Sequence, residues 1–400
     1  MPSPEELRQL MHPGVLEIVR HHEHDDPSQF ALRFHGRDDL PVRAVAEQIG
    51  CRRKAARKLP GFSGYDMLYT PRALEQASGE RTASWKSASL QGERVMDMTG
   101  GLGIDSIFLA RRFRDVVYCE RDEVLASIAA WNFRQLGLNN IRVLQGDSVE
   151  HLKSESDNSF DWIYIDPDRR QGGRRSAALE SSRPDVTVHH DLMLRKARRM
   201  CVKASPVLEL SGLHASLPSL ASVTVLSVDS ECREVLLFCD PAVGGPVSLQ
   251  AVCLSGKEEV VLTHTGGELP TRRVADVPGP LLFEPDPAII KSRLSTLLAR
   301  RSGLDFLNGS VDYLTGTGVP EGFSGRVFRI QASFAYKPSR VRAYLEAHGI
   351  SGASILRRDF PLAPEDIRKK FRLNESESCF LVFTRDADGK LLFLSCVREM

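Results

Sequence analysis

The sequence predicts an α/β fold, built on a mostly parallel sheet with helices on both faces, and two features indicate it. Short apolar runs recur from residue 94 onward, and stretches with helical periodicity separate them. Strands that alternate with helices form parallel sheets whose two faces are covered. The apolar runs are 95–98, 116–120, 141–144, 162–166, 206–210, 223–226 and 235–238. The polar stretch 229–233 is too short for a helical crossover, so we expect the last two strands to pair antiparallel. Seven strands with a closing hairpin give a Rossmann-like layout.

The segments on either side of this predicted sheet have a different character. Residues 1–90 lack strand-like runs and read as helical and polar, with a basic stretch after Cys51. Beyond Pro246 the pattern predicts a β-hairpin, then a helix that Asp286 caps with Pro287 at its first position. From Arg326 the order is strand, helix, strand, helix and two strands, which is typical of a small α+β (ferredoxin-like) domain. The predicted domains are 1–90, 91–241, 242–325 and 326–400.

Composition excludes several classes of protein. The 400 residues carry a formal net charge of +1, so any nucleic-acid surface must be local. The chain has no apolar run near the roughly 18 residues of a membrane span and no charged, apolar leader, so we expect neither a membrane nor a secretory role. Eight scattered cysteines without a CxxC pair favour free thiols in a reducing cytoplasm. His21, His22 and His24 lack fixed ligand spacing, so no metal is expected.

A glycine-rich motif, Asp97–Asp105, directly follows the first predicted strand and opens a helix. Glycines are needed here because the backbone turns sharply and must approach a ligand without Cβ atoms in the way. Ligands of such sheets bind at the carboxyl ends of the strands. Glu120 ends the second strand, where its carboxylate can accept both hydroxyls of a ribose. Asp147 follows the third strand, where it can receive an adenine amino group. The spacing therefore predicts a cofactor that contains adenosine.

The charge at this motif separates two classes of enzyme. A dinucleotide dehydrogenase needs G-x-G-x-x-G, whose helix N-terminus binds a pyrophosphate. The segment Gly101–Ser106 lacks the third glycine and places Asp105 near that N-terminus, where a carboxylate would repel a pyrophosphate. S-adenosylmethionine has no pyrophosphate and carries a positive sulfonium and amine. The motif therefore favours methyl transfer.

Residues Asp97–Gly103 resemble the D-x-G-x-G-x-G motif of class I methyltransferases, with Thr99 in place of the first glycine. The resemblance implies S-adenosylmethionine as cofactor. It also implies contacts of Asp97, Gly101 and Gly103 with the methionine part, of Glu120 with ribose and of Asp147 with adenine. The other expected cofactor-binding residues are their neighbours Thr99, Gly100, Asp105, Arg121 and Ser148. More narrowly, the segments 75–83, 97–105 and 164–170 resemble bacterial methyltransferases that carry a C-terminal THUMP-like domain.

After the fourth strand comes the loop Asp166-Pro167-Asp168-Arg169-Arg170. Many N-methyltransferases carry an acid or Asn, two prolines and an aromatic residue here. This chain keeps Asp166 and Pro167 but has Asp168 and Arg169 in place of the other two. Asp166 can accept a hydrogen bond from an amino group or take its proton, and the arginines can bind phosphate or stack on a base. We predict Asp166, Pro167, Asp168 and Arg169 as catalytic. A plain strand-end turn with a solvated basic loop is the alternative.

Two further observations concern the acceptor. The loop contains no cysteine nucleophile, which disfavours methylation of pyrimidine C5, and Cys201 is expected at the end of a basic helix. The C-terminal domain is locally basic, and the THUMP-like resemblance implies binding of a structured RNA, tRNA or rRNA. The predicted substrate-binding residues are Arg170, Arg357, Arg358, Lys369 and Lys370. Solvated helix ends would give the same charge pattern.

Three functions therefore remain open. The first is methylation of a base nitrogen in RNA. The second is methylation of a protein or small molecule, with the C-terminal domains serving only for assembly. The third is a binding protein that keeps the cofactor pocket without chemistry, since Asp168 and Arg169 replace the usual pair.

Overall fold

The computed structural model describes residues 1–168, 170, 171, 174, 175 and 179–399. The chain divides into two compact units. Unit 1 comprises residues 1–222 and 235–245, and unit 2 comprises residues 223–234 and 246–400. The four-domain division of the sequence stays a prediction.

Unit 1 begins with a helical region, as predicted. Side chains that accept hydrogen bonds from backbone amides start several of these helices, including Ser3, Asp26 and Thr70. The apolar side of α4 is buried and packs with the helices before it around Val45 and Ile49. The helices are α1 Pro4–Leu10, α2 Pro13–His21, α3 Pro27–Arg33, α4 Val42–Lys58, α5 Pro71–Gln76 and α6 Glu80–Ser89, with a 3-10 turn at Pro60–Phe62.

A sheet in the order β9-β7-β4-β1-β2-β3 forms the centre of unit 1. Neighbours are parallel except β9, which runs antiparallel to β7. The strands are β1 Arg94–Asp97, β2 Asp115–Glu120, β3 Ile141–Gln145, β4 Phe160–Ile165, the two-residue pair β5 Arg170–Gln171 and β6 Arg174–Arg175, β7 Ala197–Ala204, β8 Leu220–Val228 and β9 Glu231–Cys239. The helices between them are α7 Ile104–Leu109, α8 Glu123–Gln135, α9 Ser148–Ser154, α10 Val186–Lys196 and α11 Leu213–Ser216, with a 3-10 turn at Leu179–Ser181. The predicted α/β, Rossmann-like class is confirmed.

One predicted strand is wrong. The strand next to β4 is β7, Ala197–Ala204, whereas residues 206–210 form a turn. Cys201 therefore lies in the middle of a buried strand and not at the end of a helix. The start of β7 is basic, like the end of the helix before it. Its charged side chains have partners on β4: Arg198 pairs with Asp161 at 3.8 Å, and Arg199 lies over the Trp162 ring at 4.6 Å. These contacts let charged side chains occupy a strand.

The closing hairpin is formed by β8 and β9, as predicted. Its two-residue turn, Asp229–Ser230, has φ values of 50° and 62°. Positive φ at both central residues is typical of the tight turns that join antiparallel strands. The half of the hairpin near β7 belongs to unit 1, and the half that carries the turn belongs to unit 2.

In unit 2, a β-hairpin is followed by two helices. The cap is confirmed, since Asp286 Oδ1 accepts from the Ala288 amide at 2.8 Å. The single predicted helix is divided at Arg293, whose φ of 62° ends its first part. The elements are β10 Ser248–Ser255, β11 Glu258–Thr265, β12 Leu281–Pro285, α12 Pro287–Lys291, α13 Ser295–Ser302, β13 Asp305–Phe306 and β14 Leu314–Gly316.

The remainder of unit 2 has the predicted order of strand, helix, strand, helix and two strands. These elements are β15 Gly325–Ala335, α14 Pro338–Ala347, β16 Ser354–Arg357, α15 Pro364–Phe371, β17 Phe380–Arg385 and β18 Leu391–Arg398. Their strands join β12–β14 in one sheet, in the order β13-β14-β12-β15-β18-β17-β16. The helices pack on this sheet through a second core around Val341, Ile367 and Phe383.

Candidate functional site

The glycine loop after β1 is shaped by close packing beneath it. A Cβ on Gly100 would lie 1.9 Å from Tyr118 Cε2, and one on Gly103 would lie 2.6 Å from Phe133 Cζ. Gly101 and Gly103 also have φ values of 54° and 77°. A Cβ on Gly101 would meet no atom within 4 Å. The loop is therefore packed against β2 and α8 on one side and open at Gly101, where a ligand can approach the backbone.

Glu120 connects the end of β2 to this loop. Its Oε2 accepts from the Gly101 amide at 2.9 Å, and its Oε1 accepts from the Asp122 amide at 2.8 Å. Glu120 remains partly exposed. A carboxylate held in this way at the strand end keeps acceptor sites toward solvent, as a ribose diol requires.

The residues after β3 form a helix start beside Glu120. Asp147 Oδ1 accepts from the Val149 amide at 2.9 Å, and its Oδ2 pairs with Arg121 at 2.5 Å. Although burial opposes it, the Val149 amide and the Arg121 guanidinium hold the pKa of Asp147 below its ordinary value. Ser148 is buried in the first turn of α9. The structure thus brings Glu120, Arg121 and Asp147 to adjacent strand ends.

Asp97 is buried at the end of β1. Its Oδ2 accepts from the Ser106 hydroxyl at 2.6 Å and its Oδ1 from the Thr99 amide at 3.1 Å. Burial raises the pKa of Asp97 to about 7, although the bond from Ser106 lowers it. This carboxyl group therefore shapes the loop from within.

Asp105 lies in a buried polar cluster whose members come from distant parts of the sequence. Its Oδ2 accepts from the Ser78 and Tyr164 hydroxyls, each at 2.8 Å, and Lys86 Nζ lies 2.9 Å from its Oδ1. Burial opposes ionisation, but the cations of Lys86 and Lys203 hold the pKa of Asp105 below its ordinary value. Both carboxylate oxygens have partners within the chain, so the geometry favours a scaffold role over direct contact with a cofactor.

The reaction loop begins at the end of β4, beside the glycine loop. The Asp166 amide donates to Thr99 Oγ1 at 2.6 Å, so Thr99 joins the two loops. Asp166 Oδ2 pairs with Lys203 Nζ at 2.6 Å. Pro167 is buried, whereas Asp168 is exposed and exchanges backbone hydrogen bonds with Arg183. Arg169 and the side chain of Arg170 lie outside the described residues, so their predicted roles stay predictions.

Two functional candidates, Lys86 and Lys203, were not found in the sequence. Lys86 is 2% exposed in α6, and α6 packs against α7. Lys203 is 8% exposed at the carboxyl end of β7. A single lysine at the end of the apolar run Met200–Ala204 was the available signal. It was missed because this run was assigned to a helix.

The predicted RNA-binding residues of unit 2 differ in their surroundings. Arg357 donates to the Phe360 carbonyl at 2.8 Å. Arg358 pairs with the buried Glu284 at 3.0 Å. Lys369 is exposed on α15, and Lys370, also exposed, lies 5.8 Å from the centre of the Tyr336 ring. The two lysines are therefore better placed than the two arginines to contact a partner.

In the part of the chain that the structure describes, no helix has the length and apolar character needed to cross a membrane. The same part of the chain contains no group of three or more His, Cys, Asp or Glu side chains that could hold a metal ion.

Comparison with known proteins supports the fold and the class of enzyme. A family model described as "THUMP domain-like" matches residues 325–398, and one described as "Conserved hypothetical protein 95" matches residues 80–181. An uncharacterized S-adenosylmethionine-dependent methyltransferase of Mycobacterium tuberculosis is 26% identical over 351 residues, which cover 87% of this chain and 94% of the relative. A crystal structure assigned as a methyltransferase, from Porphyromonas gingivalis W83, superposes with a TM-score of 0.85 at 26% identity over 100% of both chains.

A more partial match is to the 23S rRNA (uracil(1939)-C(5))-methyltransferase RlmD of Aeromonas salmonicida. It is 26% identical over 207 residues, which cover 48% of this chain and 44% of that protein. Three observations indicate the same class of enzyme. They are the fold, the glycine loop at the end of β1, and the relatives that match almost the full length of the chain. The chain is an S-adenosylmethionine-dependent methyltransferase with a Rossmann-like fold and a THUMP-like region at residues 325–398.

Proposed function

We propose that this enzyme transfers a methyl group to a base nitrogen of a structured RNA, either tRNA or rRNA. The observation that carries this proposal is the position of Asp166. Its carboxylate stands at the end of β4, and its backbone is hydrogen-bonded to Thr99 of the glycine loop. A hydrogen-bond acceptor thus stands beside the loop that would bind the cofactor. The proposed substrates, tRNA and rRNA, are both found in the cytoplasm.

The strand ends offer a matching set of contacts for S-adenosylmethionine. The open side of Gly101 leaves room for a ligand against the backbone. We assign the ribose hydroxyls to Glu120 and the adenine amino group to Asp147, whose carboxylates are partly exposed at neighbouring strand ends. Asp97 and Asp105 shape the loop from beneath. These donors and acceptors fit the cofactor that the relatives' names specify.

In the proposed reaction, Asp166 accepts a hydrogen bond from the N–H of the base and directs the nitrogen lone pair toward the methyl group. Bound S-adenosylmethionine supplies that methyl group: the new N–C bond forms as the C–S bond breaks, and the sulfur keeps the bonding pair. The proton of the nitrogen then passes to an Asp166 oxygen or to water. Holding the nucleophile in line contributes much of the rate in such a displacement.

Nitrogen is favoured over carbon as the acceptor atom. Methylation at pyrimidine C5 needs a cysteine nucleophile, and no cysteine occurs between residues 120 and 200. Cys201 is fully buried in β7. The relatives named as uracil C5 methyltransferases align over less than half of their own length. Their target atom therefore does not transfer to this chain.

RNA is favoured as the substrate class by three features. The C-terminal domain matches a THUMP-like family, and the partial relatives are named as 23S rRNA methyltransferases. The exposed lysines of α15 add a positive surface in the same domain. Contacts of Lys and Arg with phosphates position nucleic acids without reading their sequence.

The proposal is tested with labelled S-adenosylmethionine and RNA from a strain that lacks the protein. We expect label to enter RNA with the wild-type enzyme, and Asp166→Ala to abolish transfer while cofactor affinity is kept. Label in protein or in small molecules instead would support the second function. Cofactor binding without transfer to any of these pools would support the binding protein.

A further inference from the structure

Ionisable side chains, most of them buried, lie close together near the carboxyl ends of β1, β4 and β7. The carboxylates of Asp105 and Asp166 lie near enough to the buried Asp97 to raise its pKa, beyond the larger effect of burial. Two lysines, Lys86 and Lys203, balance them from α6 and β7. Charges are retained in such a site only when they are paired, because burial of a single ion is costly.

Each lysine makes its close ion pair with a different carboxylate. Lys86 Nζ is 2.9 Å from Asp105 and 2.6 Å from the Ser78 hydroxyl, so it belongs to the polar cluster around Asp105 beneath the glycine loop. Lys203 Nζ is 2.6 Å from Asp166 Oδ2, so it reaches the reaction loop itself. Of these two ion pairs, only the one between Lys203 and Asp166 includes a side chain with a role in the proposed reaction.

Asp166 is held at two points. Its amide donates to Thr99 Oγ1, which fixes the backbone, and its Oδ2 is held by Lys203, which fixes the side chain. Its side chain is 34% exposed, whereas that of Lys203 is only 10% exposed. The lysine therefore approaches from inside the protein, and the carboxylate retains an accessible side.

We propose that Lys203 is a positioning residue for methyl transfer, which holds the Asp166 carboxylate in the orientation that receives the N–H of the acceptor. This inference rests on the proposed function, because it assigns a partner to Asp166. With Oδ2 bound to the ammonium, Oδ1 is the oxygen directed to the substrate.

The test compares Lys203→Met with Lys196→Met as a matched control. Lys196 is also buried, and its ammonium pairs with Asp157 at 2.8 Å, but it lies just before β7, at the opposite end of the strand from Lys203. We expect Lys203→Met to lower kcat by about 10²-fold, with unchanged affinity for S-adenosylmethionine, because a small displacement of a reacting group has this effect. Lys203→Arg should recover part of the loss, and Lys196→Met should retain wild-type kcat.

A double-mutant cycle with Asp166→Asn separates positioning from a general structural role. If Lys203 acts through Asp166, Lys203→Met should cost little more in the Asp166→Asn background. The same loss in both backgrounds, or wild-type kcat in Lys203→Met, would overturn the inference. Full kcat in Asp166→Asn would instead overturn the proposed role of Asp166.

Hydrogen exchange provides a readout that needs no substrate. The Asp166 amide is protected by its bond to Thr99. We expect Lys203→Met to speed exchange at residues 165–168, and Lys196→Met to leave it unchanged. Unchanged protection in Lys203→Met would contradict the inference even if the RNA substrate were misassigned.

Discussion

At the scale of single residues, the protonation of Asp97 is the most unusual feature. Burial raises its pKa to about 7 in the folded protein, whereas an unfolded aspartate titrates near about 3.9. Between these two values the folded state binds a proton that the unfolded state has released. The contribution of Asp97 to stability is therefore complete at low pH and is lost as pH rises toward the folded pKa.

We expect the free energy of unfolding of the wild type, minus that of Asp97→Asn, to decrease from about pH 4.5 to about pH 7.5. Subtraction removes the titration of the other groups, including Asp105, whose depressed pKa acts below this window. Urea denaturation of both proteins at several pH values measures the difference. A difference that rises with pH, or does not change, would show that Asp97 is ionised in the folded state.

Thr99 gives a second prediction at this scale. Its hydroxyl accepts from the Asp166 amide, and Thr99→Val removes that acceptor with little change in volume. An amide left without a partner costs about 1–3 kcal/mol. We expect lower stability and a lower kcat, because the reaction loop loses its backbone anchor.

Thr99→Ser, which keeps the hydroxyl, is the matched control and should retain both properties. Thermal denaturation and single-turnover methylation measure the two effects. Equal behaviour of the valine and serine variants would mean that this hydrogen bond does not hold the loop. The hydroxyl also gives a reason for threonine where the family motif has glycine.

At the scale of elements, the glycine loop is set by what lies beneath it. Gly100→Ala would place a methyl group 1.9 Å from a ring carbon of the buried Tyr118, so β2 or the loop must move. Gly101→Ala meets open space and has only the cost of a left-handed backbone, about 1–2 kcal/mol. We expect Gly100→Ala to be clearly the more destabilising of the two.

Chemical denaturation of the two alanine variants measures this order directly. Both proteins lose one glycine from the same loop, so they differ mainly in packing. If Gly101→Ala were equally or more destabilising, this result would contradict the close packing of Tyr118 against Gly100.

Sequence patterns predicted the elements whose signals are local. The glycine motif, Glu120 and Asp147 follow apolar strands directly, so their places at neighbouring strand ends could be expected. The contacts of Lys203 and Lys86 could not be predicted, because each lysine pairs with a carboxylate that lies on another element of the fold. The strand β7 was missed because the contacts of Arg198 and Arg199 that allow a charged strand start come from β4.

At the scale of the whole molecule, the residues proposed to bind RNA, Lys369 and Lys370, differ from a basic residue that holds the THUMP-like domain together. Arg358 pairs with Glu284, 74 residues away in sequence, and lies over the ring of Tyr313. Sequence alone placed it in a basic patch because this partner is distant. We expect Arg358→Ala to lower the melting temperature, since it leaves a buried carboxylate with one fewer partner.

The double variant Lys369→Glu, Lys370→Glu should instead weaken RNA binding and reduce its salt dependence, with unchanged cofactor affinity and melting temperature. Filter binding at several salt concentrations measures RNA affinity and its salt dependence. Calorimetry measures cofactor affinity and melting temperature. Unchanged RNA affinity in this variant would count against the lysines of α15 as the RNA contact.

We propose that S-adenosylmethionine lies across the carboxyl ends of β1, β2 and β3. A crystal structure of the protein with S-adenosylhomocysteine tests it most directly. We predict the ribose hydroxyls within hydrogen-bond distance of Glu120, the adenine amino group at Asp147, and the sulfur facing Asp166. A ligand bound elsewhere, or a site that takes a nicotinamide dinucleotide in its place, would contradict the account.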